Sequence, residues 1–156
     1  AYEALLGIDY QPCIAMLVLL AEPSGIPSPG GKKFEDGDIQ WLGDNSQKGI
    51  SPDLSAVTIH ASADFSRKNF TMAPEEIAHL LIGAASDWLG QEVLDWQIHK
   101  WRYSQPIATY KERFLELPVP SGLYLVGDAF GGARVEGAAL SGIEAAAHIR
   151  EVNSIQ

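Results

Sequence analysis

Asp128 lies in the stretch GLYLVGDAFGGARVEGAALSGIEA, residues 122–145, directly after an apolar run from Leu123 to Val126 and Gly127. If that run is a strand, the carboxylate stands at its C-terminal end, where ligands of open α/β sheets gather, and can accept hydrogen bonds from ribose or ribityl hydroxyls. Gly131 and Gly132 make a loop, and Arg134, Val135, Glu136, Gly137 and Ala138 lead into an alanine-rich helix. A helix start exposes unpaired N–H groups and the positive end of a dipole, a setting for a phosphate or an electron-rich ring edge. Glycines lack a Cβ and let a ligand come close to the backbone. Arg134 can pair with a phosphate or with Glu136.

A second group of candidates lies in VLDWQIHKWRYS, Val93 to Ser104, a long β-prone segment. Alternation puts Val93, Asp95, Gln97, His99, Trp101 and Tyr103 on one face and Leu94, Trp96, Ile98, Lys100 and Arg102 on the other. Aromatic rings beside polar groups are what a cavity wall needs to hold and orient a planar ligand. Trp101 and then Tyr103 are the expected cavity residues. His60, at the end of the strand-like VTIHAS, is a further candidate, although histidine chemistry needs a partner. The four histidines, at 60, 79, 99 and 148, show neither HxH nor HExxH spacing and accompany one cysteine. No zinc site is therefore expected. The chain contains no GxSxG elbow and no GxxxxGK[ST] loop, so it offers neither a hydrolase nucleophile nor a P-loop.

Several elements must position these groups. Cys13 to Leu20 is too apolar to alternate and predicts a strand buried on both faces, followed by a Pro/Ser/Gly-rich loop through Lys33. Ile39 to Leu42 and Val57 to Ala61 predict shorter strands, and Ala63 to Asn69 a helical turn or two. Pro74, Glu75 and Glu76 open a helix that runs to a stop at Gly90. Its expected apolar face is Ile77, Leu80, Leu81, Ala84 and Trp88, with His79 on the solvated side.

Strand, GD, glycine loop and VEGAALSG together resemble the C-terminal flavin-binding segment of FAD-dependent amine oxidoreductases, most closely the renalase-like branch. DYQPCIAMLV, IQWLGDNSQKG, VTIHASADFS and HKWRYSQP resemble further parts of that family's C-terminal half, in the same order. The resemblance implies FAD as cofactor, with the aspartate of the Gly127–Asp128 pair at its backbone and the amides around Val135, Glu136, Gly137 and Ala138 approaching the flavin ring. It also implies that the KWRY strand roofs the ring, making Trp101, Tyr103 and His60 substrate-side residues. The implied reaction is hydride transfer to flavin N5 from an amine or dihydronicotinamide-type small molecule, with reoxidation by oxygen.

The family's opening strand, GxGxxG turn and helix, which hold the pyrophosphate, do not occur here. The expectation is a C-terminal half whose N-terminal FAD-binding half is missing, inactive by itself. Two other accounts are a non-catalytic fragment acting by association, with an N-terminal half or as a homodimer, and a small-molecule binding module. The expected architecture is α+β. Residues 1–115 form the substrate-binding portion, a mixed and largely antiparallel sheet with packed helices. Residues 121–152 form the last strand, loop and helix of a Rossmann-like FAD-binding domain.

Composition fits a folded chain: 156 residues, 46% hydrophobic and 20% charged, which is ordinary globular usage. The net charge of −9 argues against nucleic acid and anionic membranes as partners. The longest apolar run, Cys13 to Ala21, falls short of the roughly 20 residues of a membrane span. A lone cysteine and no evident signal peptide make a cytoplasmic location the expectation.

Overall fold

A computed structural model describes residues 2–90, 92–119 and 122–154. The fold is α+β, with a five-stranded sheet, largely antiparallel as the sequence predicts. The chain forms two compact units, one of residues 12–102 and the other of residues 1–11 with 103–156.

The first unit is organised by β1 (Asp9–Leu20), β2 (Gly31–Lys33), β3 (Ile39–Asp44), β4 (Ser55–Ala61) and β5 (Val93–Ala108), in the spatial order β2-β3-β4-β1-β5. The pairs β2/β3, β3/β4 and β1/β4 are antiparallel, with Ala15 opposite His60 and Trp41 on that residue's other side. In β1 the residues Ile14, Met16 and Val18 are buried while Leu17 is 48% exposed. From Met16 onward the strand therefore alternates, with Leu17 on an outer face, whereas Ala15 is buried as well. Ile14, Met16, Val57, Ile59, Leu42 and Leu81 form the centre of this unit's core.

Helices α2 (Ala63–Asn69) and α3 (Pro74–Ala84) cover the inner face. Ser62 caps α2 by accepting from the Phe65 amide at 3.3 Å, satisfying one of the orphan donors of a helix start. The buried Ser66 hydroxyl joins α2 to β1, accepting from the Ile14 amide at 2.9 Å and donating to the Ser62 carbonyl at 2.7 Å. In α3 the buried residues are Ile77, Ala78 and Leu81, whereas Leu80 is 42% exposed and Ala84 is exposed. The expected face is thus rotated. The helix also ends earlier than Gly90, because Ala85 leaves helical geometry at φ −98° and ψ 4°. That turn starts a separate α4 (Ser86–Leu89), which sends Leu89 into the core; Gly90, at φ +77°, then reverses the chain. His79 is exposed, as expected.

The second unit contains α1 (Tyr2–Leu6), the antiparallel pair β6 (Leu115–Leu117) and β7 (Leu123–Leu125), and α5 (Val135–Ser154). Leu115, Ala129 and Phe130 form its small core, with Leu5, Ile8, Tyr10, Tyr110, Leu117 and Leu125 packed around them. Residues from the chain's first turn are thereby built into the same unit as its last helix. Among the described residues no helix is long and apolar enough to cross a membrane.

Candidate functional site

In the second unit, the end of β7, the loop after it and the start of α5 enclose an open cleft of about 710 Å³, lined by Ser104, Gln105, Pro106, Gly127, Asp128, Ala133, Arg134, Val135 and Ala138. Five of the sequence-derived candidates, Gly127, Asp128, Arg134, Val135 and Ala138, meet here. The first backbone bond of α5 runs from the Ala138 amide to the Arg134 carbonyl at 3.0 Å. The amides of Val135, Glu136 and Gly137 precede it and have no intrahelical acceptor. Val135 is 89% exposed at this entrance.

Two glycines of the motif do different work. Gly127 has φ +140°, and a Cβ built on it would meet nothing within 4 Å. Its missing side chain leaves room in the cleft. Gly137 is buried, and a Cβ there would collide with the Gly132 carbonyl oxygen. Its missing side chain lets the loop pack on the helix, a structural need rather than a ligand's. Arg134 has φ +132°, a conformation costly for a residue with a side chain and often found at ligand-binding turns. Among the described residues it makes no ion pair with Glu136, and it lines the cleft. Both Arg134 and Glu136 are exposed.

Asp128 is half-buried, and one of its carboxylate oxygens accepts a 2.8 Å hydrogen bond from the Tyr10 hydroxyl. Its other oxygen takes no hydrogen bond among the described residues. Burial first, then the hydrogen bond and charge of Asp128, push the Tyr10 phenol up to about 12. Tyr10 therefore stays a neutral donor throughout the ordinary pH range. Behind the turn, the buried Ser141 hydroxyl of α5 accepts from the Gly127 amide at 3.0 Å and holds the strand end against the helix. Gln105 at the rim accepts from the Gln11 side-chain amide at 3.1 Å, leaving its own amide hydrogens free to donate.

The KWRYSQP segment divides its labour by position along β5. Lys100 donates to the carbonyls of Phe70 and Met72 at 2.8 and 2.7 Å, satisfying the end of α2. Arg102 lies 4.7 Å from the Phe70 ring, a cation–π contact. Trp101 is 52% exposed and packs 4.1 Å from the His99 ring, both on the outer sheet face of the first unit. His60 shares that face and is exposed; residual desolvation and the charge of Lys48 hold its pKa below the ordinary value. Tyr103 is 73% exposed and meets the Tyr10 ring edge-on at 6.1 Å. The cleft itself is bordered by the next three residues, Ser104, Gln105 and Pro106.

The sequence matches the family model of the flavin containing amine oxidoreductases along residues 3–150. The chain belongs to that family. Membership in the flavin containing amine oxidoreductases implies a flavin cofactor, and the cleft is chemically suited to one. Helix-start amides complement an electron-rich ring edge, the free Asp128 oxygen can accept from a polyol, and Gly127 and Ala138 put little bulk in the way. Tyr10, Ser104, Gln105, Ala133 and Ser141 escaped the reading of single residues. The traces they leave in sequence are slight: a tyrosine opening the DYQPC strand, and a serine in an otherwise alanine-rich helix.

Proposed function

We propose that this chain forms part of the FAD site and the substrate-facing sheet of a renalase-like amine oxidoreductase, acting on an amine or a dihydronicotinamide-type molecule. The observation that carries the reading is the family match over residues 3–150 combined with a cleft in which Gly127, Asp128, Arg134, Val135 and Ala138 converge. FAD, when bound, would supply the redox chemistry of hydride acceptance and reoxidation by oxygen. The chain's residues do the placing. Asp128 accepts a polyol hydroxyl through its free oxygen, and the amides of Val135, Glu136 and Gly137 oppose negative charge at the ring edge. Arg134 offers a cation beside them. Trp101, His60 and Tyr103 are the substrate-side residues on this reading, and each of the three is exposed. The pyrophosphate turn of the family is then supplied by a part of the flavoprotein outside these residues. No residue need act as a nucleophile.

The test is flavin affinity in the protein that carries this chain. Asp128→Ala removes a charged acceptor worth about 1.5–3 kcal/mol, so the dissociation constant for FAD should rise about 10- to 100-fold. Equal affinity in a folded variant would overturn the placement.

A further inference from the structure

We propose that Tyr10 is a positioning residue for Asp128: it occupies one carboxylate oxygen and aims the other at the cleft, so that the site selects ligands bearing a polyol. The inference rests on the cofactor placement proposed above and assigns a new residue, 118 positions away in sequence, to that site.

The geometry is specific. A carboxylate only accepts, so in the 2.8 Å contact the phenol must be the donor. With that oxygen engaged, the second oxygen is left for a ligand, and Asp128 is one of the residues lining the cleft. A free carboxylate could rotate and be satisfied by water; one anchored at a single oxygen is held in a single orientation, which is the preorganisation that favours binding. Tyr10 is itself restrained. Its ring packs on the Leu115, Ala129 and Phe130 core and takes the edge of Tyr103 at 6.1 Å and 83°. Tyr103, a substrate-side candidate by sequence, is thus the support of the residue that holds Asp128. An ionised carboxylate at the cleft also repels phosphate and favours hydroxyl donors, so the recognised group is the sugar-alcohol arm rather than the charged end of a dinucleotide.

Two probes separate positioning from general damage. FAD carries a ribityl chain; lumiflavin has the same ring and no polyol. In the full flavoprotein stripped of its cofactor, Tyr10→Phe should weaken FAD about 5- to 10-fold and leave lumiflavin affinity unchanged. In an Asp128→Asn background, Tyr10→Phe should cause no further loss, because the pair acts as one unit. Tyr103→Leu should weaken FAD by a smaller factor, about two- to threefold. The proposal is overturned if Asp128→Asn weakens FAD while Tyr10→Phe does not, or if Tyr10→Phe weakens lumiflavin as much as FAD. If Asp128→Asn itself leaves FAD affinity intact, the cofactor placement falls and takes this role of Tyr10 with it.

Discussion

The carbonyl oxygen of Gly132 rests against the Cα of Gly137, in the space a Cβ would occupy. The loop that follows Gly127 can close onto the start of α5 only because Gly137 has no side chain. Gly131 is under a similar constraint, since a Cβ there would come within 2.6 Å of the Arg113 side chain.

Gly137→Ala should accordingly destabilise the fold by about 3 kcal/mol through overpacking, seen as a lower denaturant midpoint. Gly127→Ala, whose Cβ would face open space at φ +140°, should cost about 1 kcal/mol in backbone strain and mainly reduce flavin occupancy. Reversal of that order, with Gly127 the more damaging to stability, would contradict the division of roles between the two glycines.

The rotated face of α3 has its own test. Leu81 is fully buried against the sheet, whereas Leu80 is 42% exposed. Leu81→Asp places a charge in the core and should cost more than about 4 kcal/mol, enough to unfold the segment. Leu80→Asp should leave the thermal midpoint nearly unchanged. Circular dichroism melts of the two variants distinguish this face from one centred on Leu80 and Ala84.

Asp44 is 3% exposed and accepts from the hydroxyls of Ser24 and Ser46 at 2.6 and 2.5 Å and from the amides of Ser46 and Gln47 at 2.9 and 3.0 Å. Burial alone would raise its pKa, but the donors from Ser24, Ser46 and Gln47 outweigh it and hold the carboxyl well below the usual range. A depressed folded pKa stabilises the protein above the unfolded value, about pH 4. That contribution drains away as pH falls toward the folded pKa. Asp44→Asn should cost on the order of 3 kcal/mol at neutral pH. The gap between variant and wild type should narrow as the pH is lowered from 5 to 2, as read from urea midpoints. A gap independent of pH would show that ionisation of Asp44 is not what stabilises these loops.

Much of this molecule is legible in local sequence because local forces decide it. The strand and helix at Val57 to Asn69 follow from β-branched residues and a serine cap, and residues 123–142 form a short strand, a glycine loop and a helix start in the order their composition predicts. Five of the seven proposed cofactor-side residues line one cleft because they are near neighbours in that segment. Trp101 and Tyr103 show the limit. Between Trp96 and Trp101 burial along β5 alternates as expected, but at the strand's start Val93 packs on the core and Leu94 is exposed, the reverse of the expected faces, and periodicity says nothing about what lies opposite a face.

What the amino-acid order determined by itself is the family, the α+β class and most element positions. Only the folded chain decided which face of α3 is buried, where that helix breaks, that Gly137 serves packing, and that Tyr10 reaches Asp128. The reason is physical: helix starts, strand periods and glycine turns depend on a few consecutive residues. A hydrogen bond such as that between Tyr10 and Asp128, 118 residues apart, exists only after chain segments with no local relation have been brought together by burial of a shared core.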